Sequence, residues 1–328
     1  MKPVLPSEVV SFGKAAAAAI GAAGGIELAR RAVVDPSVRT TDIAPVLQSL
    51  GIDDIDAAAD LETLLAACEL TRVCGSFAVP YPVGQRLAAS AAECDESFLA
   101  VVDRVLAVEH GDLPGGWLVV EPAGATWLPI ASGDDRRYVS IPYVHHVDRG
   151  ERRAPATGGQ VALGLVLQSW ELLGAAQSAH AWAASHVVER HQFGRRLADF
   201  QLVQGRVADS EVAVRGLRQL AQFTSWRWST SPEHALVDAW ALRTQAIETV
   251  RVVLAHSHVL HGAVGFCDEH DLSILDMKTQ AAVRLPADLE RSTEILGLLI
   301  RDHGFSSPFS DPTCPPVEER RRTRKVAP

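Results

Sequence analysis

Two stretches in the C-terminal half hold the residues best suited to chemistry. The first reads Glu189-Arg190-His191-Gln192-Phe193-Gly194-Arg195-Arg196-Leu197-Ala198-Asp199-Phe200-Gln201. Arg190 stands at the end of a helical pattern, just before a turn marked by Gly194. A planar fork of donors suits diphosphate oxygens better than a lysine would. Gln192 and Gln201 add amide groups, and Phe193 sets an apolar ring beside them. The competing reading makes Arg190 a helix cap paired with Glu189 or Asp199. The second stretch reads His261-Gly262-Ala263-Val264-Gly265-Phe266-Cys267-Asp268-Glu269-His270-Asp271-Leu272. Gly262 and Gly265 lack a Cβ and permit close backbone approach to a ligand. A helix C-cap explains Gly262 equally well.

Metal chemistry finds little support. His256, His258 and His261 do not fall at the i, i+4 spacing that places two ligands on one helix face. The cysteines Cys68, Cys74, Cys94, Cys267 and Cys314 form no CxxC pair and no zinc spacing, which is the pattern of a reducing cytoplasm.

Helices must position these stretches. Residues 7–104 read as helical, with an Ala-rich run, an amphipathic run from Asp60, a break at Pro80-Tyr81-Pro82 and a resumed helical pattern over 94–105. Between 106 and 156 the character changes. Trp117-Leu118-Val119-Val120, Ala125-Thr126-Trp127-Leu128 and Tyr138-Val139-Ser140-Ile141 are short β-prone runs, separated by turn signals at Pro122-Ala123-Gly124 and Gly133-Asp134-Asp135. No GxGxxG follows a strand, so a dinucleotide-binding Rossmann domain has no support.

From residue 157 the pattern is helical again. One helix covers 160–189 and a second follows Asp199 as its N-cap, with Phe200, Val203, Val207, Val214 and Leu217 on one stripe. A third opens at Ser231-Pro232 and runs to His261, and a fourth covers 272–283, is interrupted at Pro286 and resumes to 300. The expected fold is mostly α with a small β domain: an N-terminal helical domain (1–105), a short middle sheet (106–156), a C-terminal four-helix bundle (157–305) and a disordered tail (306–328).

With 328 residues, 47% hydrophobic, the chain can bury a sizeable core, and a net charge of −9 argues against nucleic acid as a partner. Only Arg320-Arg321-Arg322-Thr323-Arg324-Lys325 is strongly basic. The apolar run 15–23 is shorter than the roughly 20 residues a bilayer span needs. Met1-Lys2-Pro3-Val4-Leu5-Pro6 does not read as a secretory leader. The expectation is a cytoplasmic protein with no membrane partner.

Taken together, the two stretches resemble the acyl-CoA dehydrogenase family. Its third domain carries an R-x-Q-F-G turn, a later F-Q and an H-G-G-x-G-[FY] segment. Glu69-Leu70-Thr71-Arg72-Val73-Cys74-Gly75, followed by Pro80 and Pro82, looks like the family's E-x-x-G…P segment. The resemblance implies an FAD cofactor, an acyl-CoA substrate and introduction of an α,β double bond. It also implies that Arg190, Gln192, Phe193, Gln201 and Gly262 contact the adenosine diphosphate half of a flavin held mainly by a neighbouring subunit. Ala263 stands where the family has its second glycine, and Val259 where it has a glutamine.

That chemistry needs a carboxylate to take the proton α to the thioester. Counted from Gly265 and from Arg190, the family's two positions for it fall on Leu285 and Gly164. Neither is an acid, so no catalytic residue is assigned. Glu171, two turns from Gly164 and roughly 10 Å along the axis, is either a relocated base or an ion-paired helix residue. Asp276, Glu269 and Asp288 have no better claim. The early strands that hold the isoalloxazine ring in the family also lack a counterpart before Trp117.

Both gaps, with Gly265-Phe266 and Glu269-His270-Asp271-Leu272, resemble the short subunit of actinobacterial heterotetrameric, steroid-degrading acyl-CoA dehydrogenases. That resemblance implies an α2β2 assembly with a related subunit and a steroid-derived thioester. Two other readings stand beside it: a non-catalytic scaffold of the same fold, and a self-sufficient homotetramer with a relocated base.

Overall fold

The helical periodicity before residue 92 becomes α1 (Ser7–Ala22), α2 (Glu27–Val34), a π-turn at Arg39–Ile43, α3 (Ala44–Ser49), α4 (Leu61–Ser76) and α5 (Val83–Ala91). Asp60 caps α4 by accepting from the Thr63 N–H at 2.8 Å. The computed structural model describes residues 5–92, 95–131 and 142–304. The β-prone run at 138–141, the turn at 133–135, Cys94, Cys314 and the 306–328 tail lie outside the described residues.

The helical reading of 94–105 is corrected. Phe98–Val101 is a strand, β1, and Ala107–Glu109 is a second, β2. A short, unbroken apolar run has no period of its own, and packing decides its state. Here β1 pairs in parallel with β3 (Trp117–Val120), and the order β1-β3-β4-β5-β2 is completed by β4 (Thr126–Ala131) and β5 (Val144–Arg152). The period of two sends Phe98, Ala100 and Val102 into a core of their own with Trp117, Val119 and Trp127, while Leu99 joins the helical core. The strand is thereby buried on both faces.

α6 (Gly158–Glu189) is the central element of the helical core. Its start is fixed by a capping box in which Thr157 Oγ1 accepts from the Gln160 N–H and the Gln160 side chain accepts from the Thr157 N–H. α4 crosses α6 with the two backbones nearly touching. A Cβ added at Gly174 would lie 1.9 Å from the Arg72 carbonyl oxygen, and one at Gly75 would lie 2.0 Å from that of Glu171. The E-x-x-G-like segment therefore serves packing: Gly75 permits the crossing, and Glu69 is held by Arg72.

α7 (Gln201–Thr230) and α8 (Leu236–His261) complete the long antiparallel helices, with a 3₁₀ turn at Pro232–His234 between them. The fourth arm is divided into α9 (Asp271–Ala282) and α10 (Leu289–His303), each about half the length of its neighbours. Among the described residues no single helix is long and apolar enough to cross a membrane.

Candidate functional site

α6 ends, α7 begins and α8 ends at the same end of the bundle. Ala183, Val187 and Leu260 form a small core there, against which Leu197, Ala198, Val203 and Val207 pack. The turn between α6 and α7 is a two-residue hairpin, His191–Gln192 (β6) pairing with Arg195–Arg196 (β7). Phe193 and Gly194 at its tip have φ of +54° and +77°, as a type I′ connection requires. Glycine takes this conformation freely; phenylalanine does so under strain. Phe193 is nevertheless 88% exposed.

The hairpin is anchored at its base. The Leu197 N–H donates to the Arg190 carbonyl at 2.8 Å, and the Arg195 guanidinium lies over the Phe200 ring, 3.9 Å from its centroid. Asp199 does not cap α7. Its carboxylate turns back to accept from the Arg196 N–H and guanidinium, and Phe200 occupies the N-cap position. This also removes Asp199 as a partner for Arg190, and Glu189 accepts from the Ser185 hydroxyl. Arg190 is the C-cap residue of α6 and exposed, with no ion-pair partner among the described residues. Gln192 and Gln201 are exposed at the same bundle end. Gly262 closes α8 at φ +65° with nothing within 4 Å of the place a Cβ would occupy. Both readings of this glycine therefore coexist: it caps the helix, and its outer side is open.

The two positions counted for a base converge elsewhere. Gly164 and Leu285 line one small cavity with Val101, Gln168 and Glu109. Its volume is about 30 Å³, space for water but not for an acyl chain. A Cβ at Gly164 would already lie 3.0 Å from Val101 Cγ2, because β1 packs directly on α6. A much larger cleft of about 640 Å³ opens on the other side of Leu285, between Val105 and Val144 of the sheet side and Leu254, His258, Asp276 and Arg284. Asp276 is engaged there by His258 and Gln280, and Arg284 by Gln280.

Sequence reasoning missed the carboxylate that faces the small cavity, Glu109. It is buried, and Lys278 Nζ donates to its Oε1 at 2.6 Å and to Glu171 Oε1 at 3.3 Å. Burial alone would push the Lys278 ammonium down, but Glu109 and Glu171 together hold it above the usual lysine range. Burial pushes the Glu109 carboxyl up against the pull of Lys278. Glu171 is thus ion-paired. A lysine inside an apolar helical stretch of an arginine-rich chain was the signal available, and it named no partner. Arg243, fully buried, donates through Nη2 to the carbonyls of Leu285 and Ala287 at 2.9 and 3.0 Å and fixes the segment that follows α9. Burial lowers its pKa to about 9.

The histidines form no metal-binding group among the described residues. His256 Nδ1 lies 3.0 Å from the Ser210 hydroxyl, and His258 Nε2 lies 3.1 Å from the Asp276 carboxylate. Cys68 and Cys74 are buried and unpaired, and burial pushes the Cys68 thiol up to about 12.

Residues 160–283 match the family model for the acyl-CoA dehydrogenase C-terminal domain. Over 124 residues the chain is 28% identical to the caffeyl-CoA reductase-Etf complex subunit CarC of Acetobacterium woodii, a stretch that is 38% of this chain and 32% of that protein. The match thus spans about a third of the curated relative. Among solved structures, the ChsE4-ChsE5 complex from Mycobacterium tuberculosis superposes with a TM-score of 0.72 at 16% identity, covering 92% of this chain and 99% of that one. A Tcur3481-Tcur3483 steroid ACAD variant gives 0.71 at 19% identity, covering 91% and 99%. The succession of helices, small sheet and helical bundle is the acyl-CoA dehydrogenase fold.

Proposed function

We propose that this chain is a subunit of an FAD-dependent acyl-CoA dehydrogenase and works with a related subunit that supplies the catalytic base. The observation that carries this reading is a contrast within one molecule. The outward hairpin leaves Arg190 without an acid partner among the described residues and Phe193 in water, whereas the cavity at Gly164 and Leu285 has a volume of about 30 Å³ and its one carboxylate is tied to Lys278. A set of donors facing away from its own interior suits a group seated in another polypeptide.

Arg190 would hold the diphosphate, charge against charge, and Gln192 and Gln201 would donate to its phosphate oxygens or exchange hydrogen bonds with its sugar hydroxyls. Phe193 would cover an apolar face of the same ligand and keep water from it. Gly262 would let the α8 terminus approach without a side chain between. FAD, when bound, supplies the two-electron acceptor for forming the α,β double bond of an acyl-CoA thioester. The solved complexes of this fold named above pair two differently named chains, which supports a heteromeric assembly of the α2β2 kind. The steroid named with one of them supports a steroid-derived thioester as the substrate class. The cytoplasm is the compartment such an enzyme and its unpaired Cys68 and Cys74 fit.

Replacing Arg190 by alanine in the complex co-expressed with a related dehydrogenase subunit tests the assignment. Losing one charged hydrogen-bonding group costs about 1.5–3 kcal/mol, or roughly 10- to 100-fold in flavin affinity. The flavin absorbance per complex after gel filtration is expected to fall accordingly. Undiminished flavin content would remove Arg190 from the site and favour the non-catalytic scaffold, which shares the small cavity but gives no reason for a guanidinium without an acid partner among the described residues.

A further inference from the structure

Three imidazoles cluster where α6 and α8 end, His186 tilted against His261 and His270 edge-on to it. The His186 and His261 ring centroids are 4.6 Å apart, and those of His261 and His270 are 4.7 Å apart. His186 lies one helical turn before Arg190, its carbonyl accepting from the Arg190 N–H at 2.9 Å. His261 immediately precedes Gly262 and is itself 7% exposed. The cluster therefore lies between the arginine and the glycine that the proposed function places on one ligand.

The hydrogen bonds settle which nitrogen is free. His261 Nδ1 faces the Ser257 carbonyl at 2.8 Å and must donate to it, so neutral His261 keeps Nε2 as a bare acceptor. His270 Nδ1 accepts from the Leu272 N–H at 3.1 Å and caps α9, so a second proton there would break the cap. Proton uptake falls on His261 Nε2 and on His186.

Among the described residues no acid forms an ion pair with the three rings. On α6, Glu189 accepts from Ser185, and Arg190 adds positive charge. On α8, His258 faces the same group, and its Nε2 lies against Asp276 of α9. At the start of α9 and in the loop before it, Arg30 of α2 takes Asp271 and the Glu269 carbonyl. Burial, and then Arg190 and His270, hold the His186 imidazole below its usual range. Burial, and then His186, His270 and His258, do the same for His261 against the pull of the Ser257 carbonyl. A proton added to this group meets like charges, against which Glu189 alone pulls on His186.

We infer that the His186–His261–His270 cluster is part of an anion site for a dinucleotide diphosphate, and that His186 or His261 takes up a proton when the diphosphate docks. This rests on the reading that Arg190 serves that ligand, and it adds a regulation of the same site: affinity rises as pH falls. The native imidazoles of His186 and His261 are neutral near pH 7, the bound anion raises their pKa, and binding therefore draws a proton from solution.

ADP-ribose is the probe, because its diphosphate diester keeps a constant charge between pH 5.5 and 8.5. Calorimetric titration of the full chain is expected to show about tenfold tighter binding at pH 5.5 than at 8.5, the effect of one pKa moved by about one unit. The His186→Gln, His261→Gln double variant, which keeps a donor toward Ser257, is expected to lose that difference. If the double variant fails to fold, ¹³C-histidine NMR of the wild type reads the same linkage, with the His186 and His261 midpoints moving up when ADP-ribose is added. Equal affinity at the two pH values, a slope retained in the double variant, unmoved midpoints, or no binding in the millimolar range would each overturn the inference. Arg190→Ala separates it from its premise: weaker binding with the slope intact supports both, whereas unchanged binding with the slope intact keeps the histidines and removes Arg190.

Discussion

Lys278→Met is expected to destabilise the protein by about 3–5 kcal/mol, the effect of stranding buried charge by deleting one partner. The ammonium is the shared counter-ion of Glu109 and Glu171, at 2.6 and 3.3 Å, and none of the three side chains is more than 16% exposed. Chemical denaturation at pH 7 measures the loss. The triple variant Lys278→Met, Glu109→Gln, Glu171→Gln should recover most of it, because it removes the charges together. Equal destabilisation of the single and triple variants would show that packing, not charge, is responsible. Since the native lysine pKa lies above the unfolded one, the contribution of Lys278 is complete below about pH 10 and fades only in more alkaline solution.

Gly174→Ala is the second large effect, a loss of about 3 kcal/mol or more from overpacking. One methyl group would sit 1.9 Å from the Arg72 carbonyl oxygen and 2.9 Å from the Ser76 nitrogen, so α4 and α6 would have to part. Backbone cannot turn aside as a flexible side chain can. Gly216→Ala is the control: it lies in α7 with nothing within 4 Å of the added Cβ, and it should gain about 0.5–1 kcal/mol. Thermal melts of the two variants should move in opposite directions. A melting temperature for Gly174→Ala close to wild type would mean that the two helices do not cross as tightly as described.

The long helices were legible because their apolar positions recur over many turns. The hairpin was legible in part, since Gly194 and the polar run around it announce a turn, although the outward direction of Arg190 depends on Asp199 choosing Arg196. That choice hid the true N-cap: an Asp just before an apolar stripe signals a helix start, but here a closer guanidinium and backbone N–H took it. β1 was misread because Phe98-Leu99-Ala100-Val101 is apolar throughout, and burial on two faces erases the alternation that marks a strand. The ion cluster was illegible for another reason. Its members stand on β2, α6 and α9, and no local pattern links positions so far apart in the chain.

The contact between Val101 and Gly164 bears on how this protein could change over generations. An acid at position 164 would press on a Val101 methyl already at its first carbon, and one at 285 would stand in a cavity fronted by Glu109, beside a backbone held by Arg243. A base at either position would call for accommodating changes around it as well. Under the proposed partnership, the packing of this cavity favours keeping the base on the other subunit.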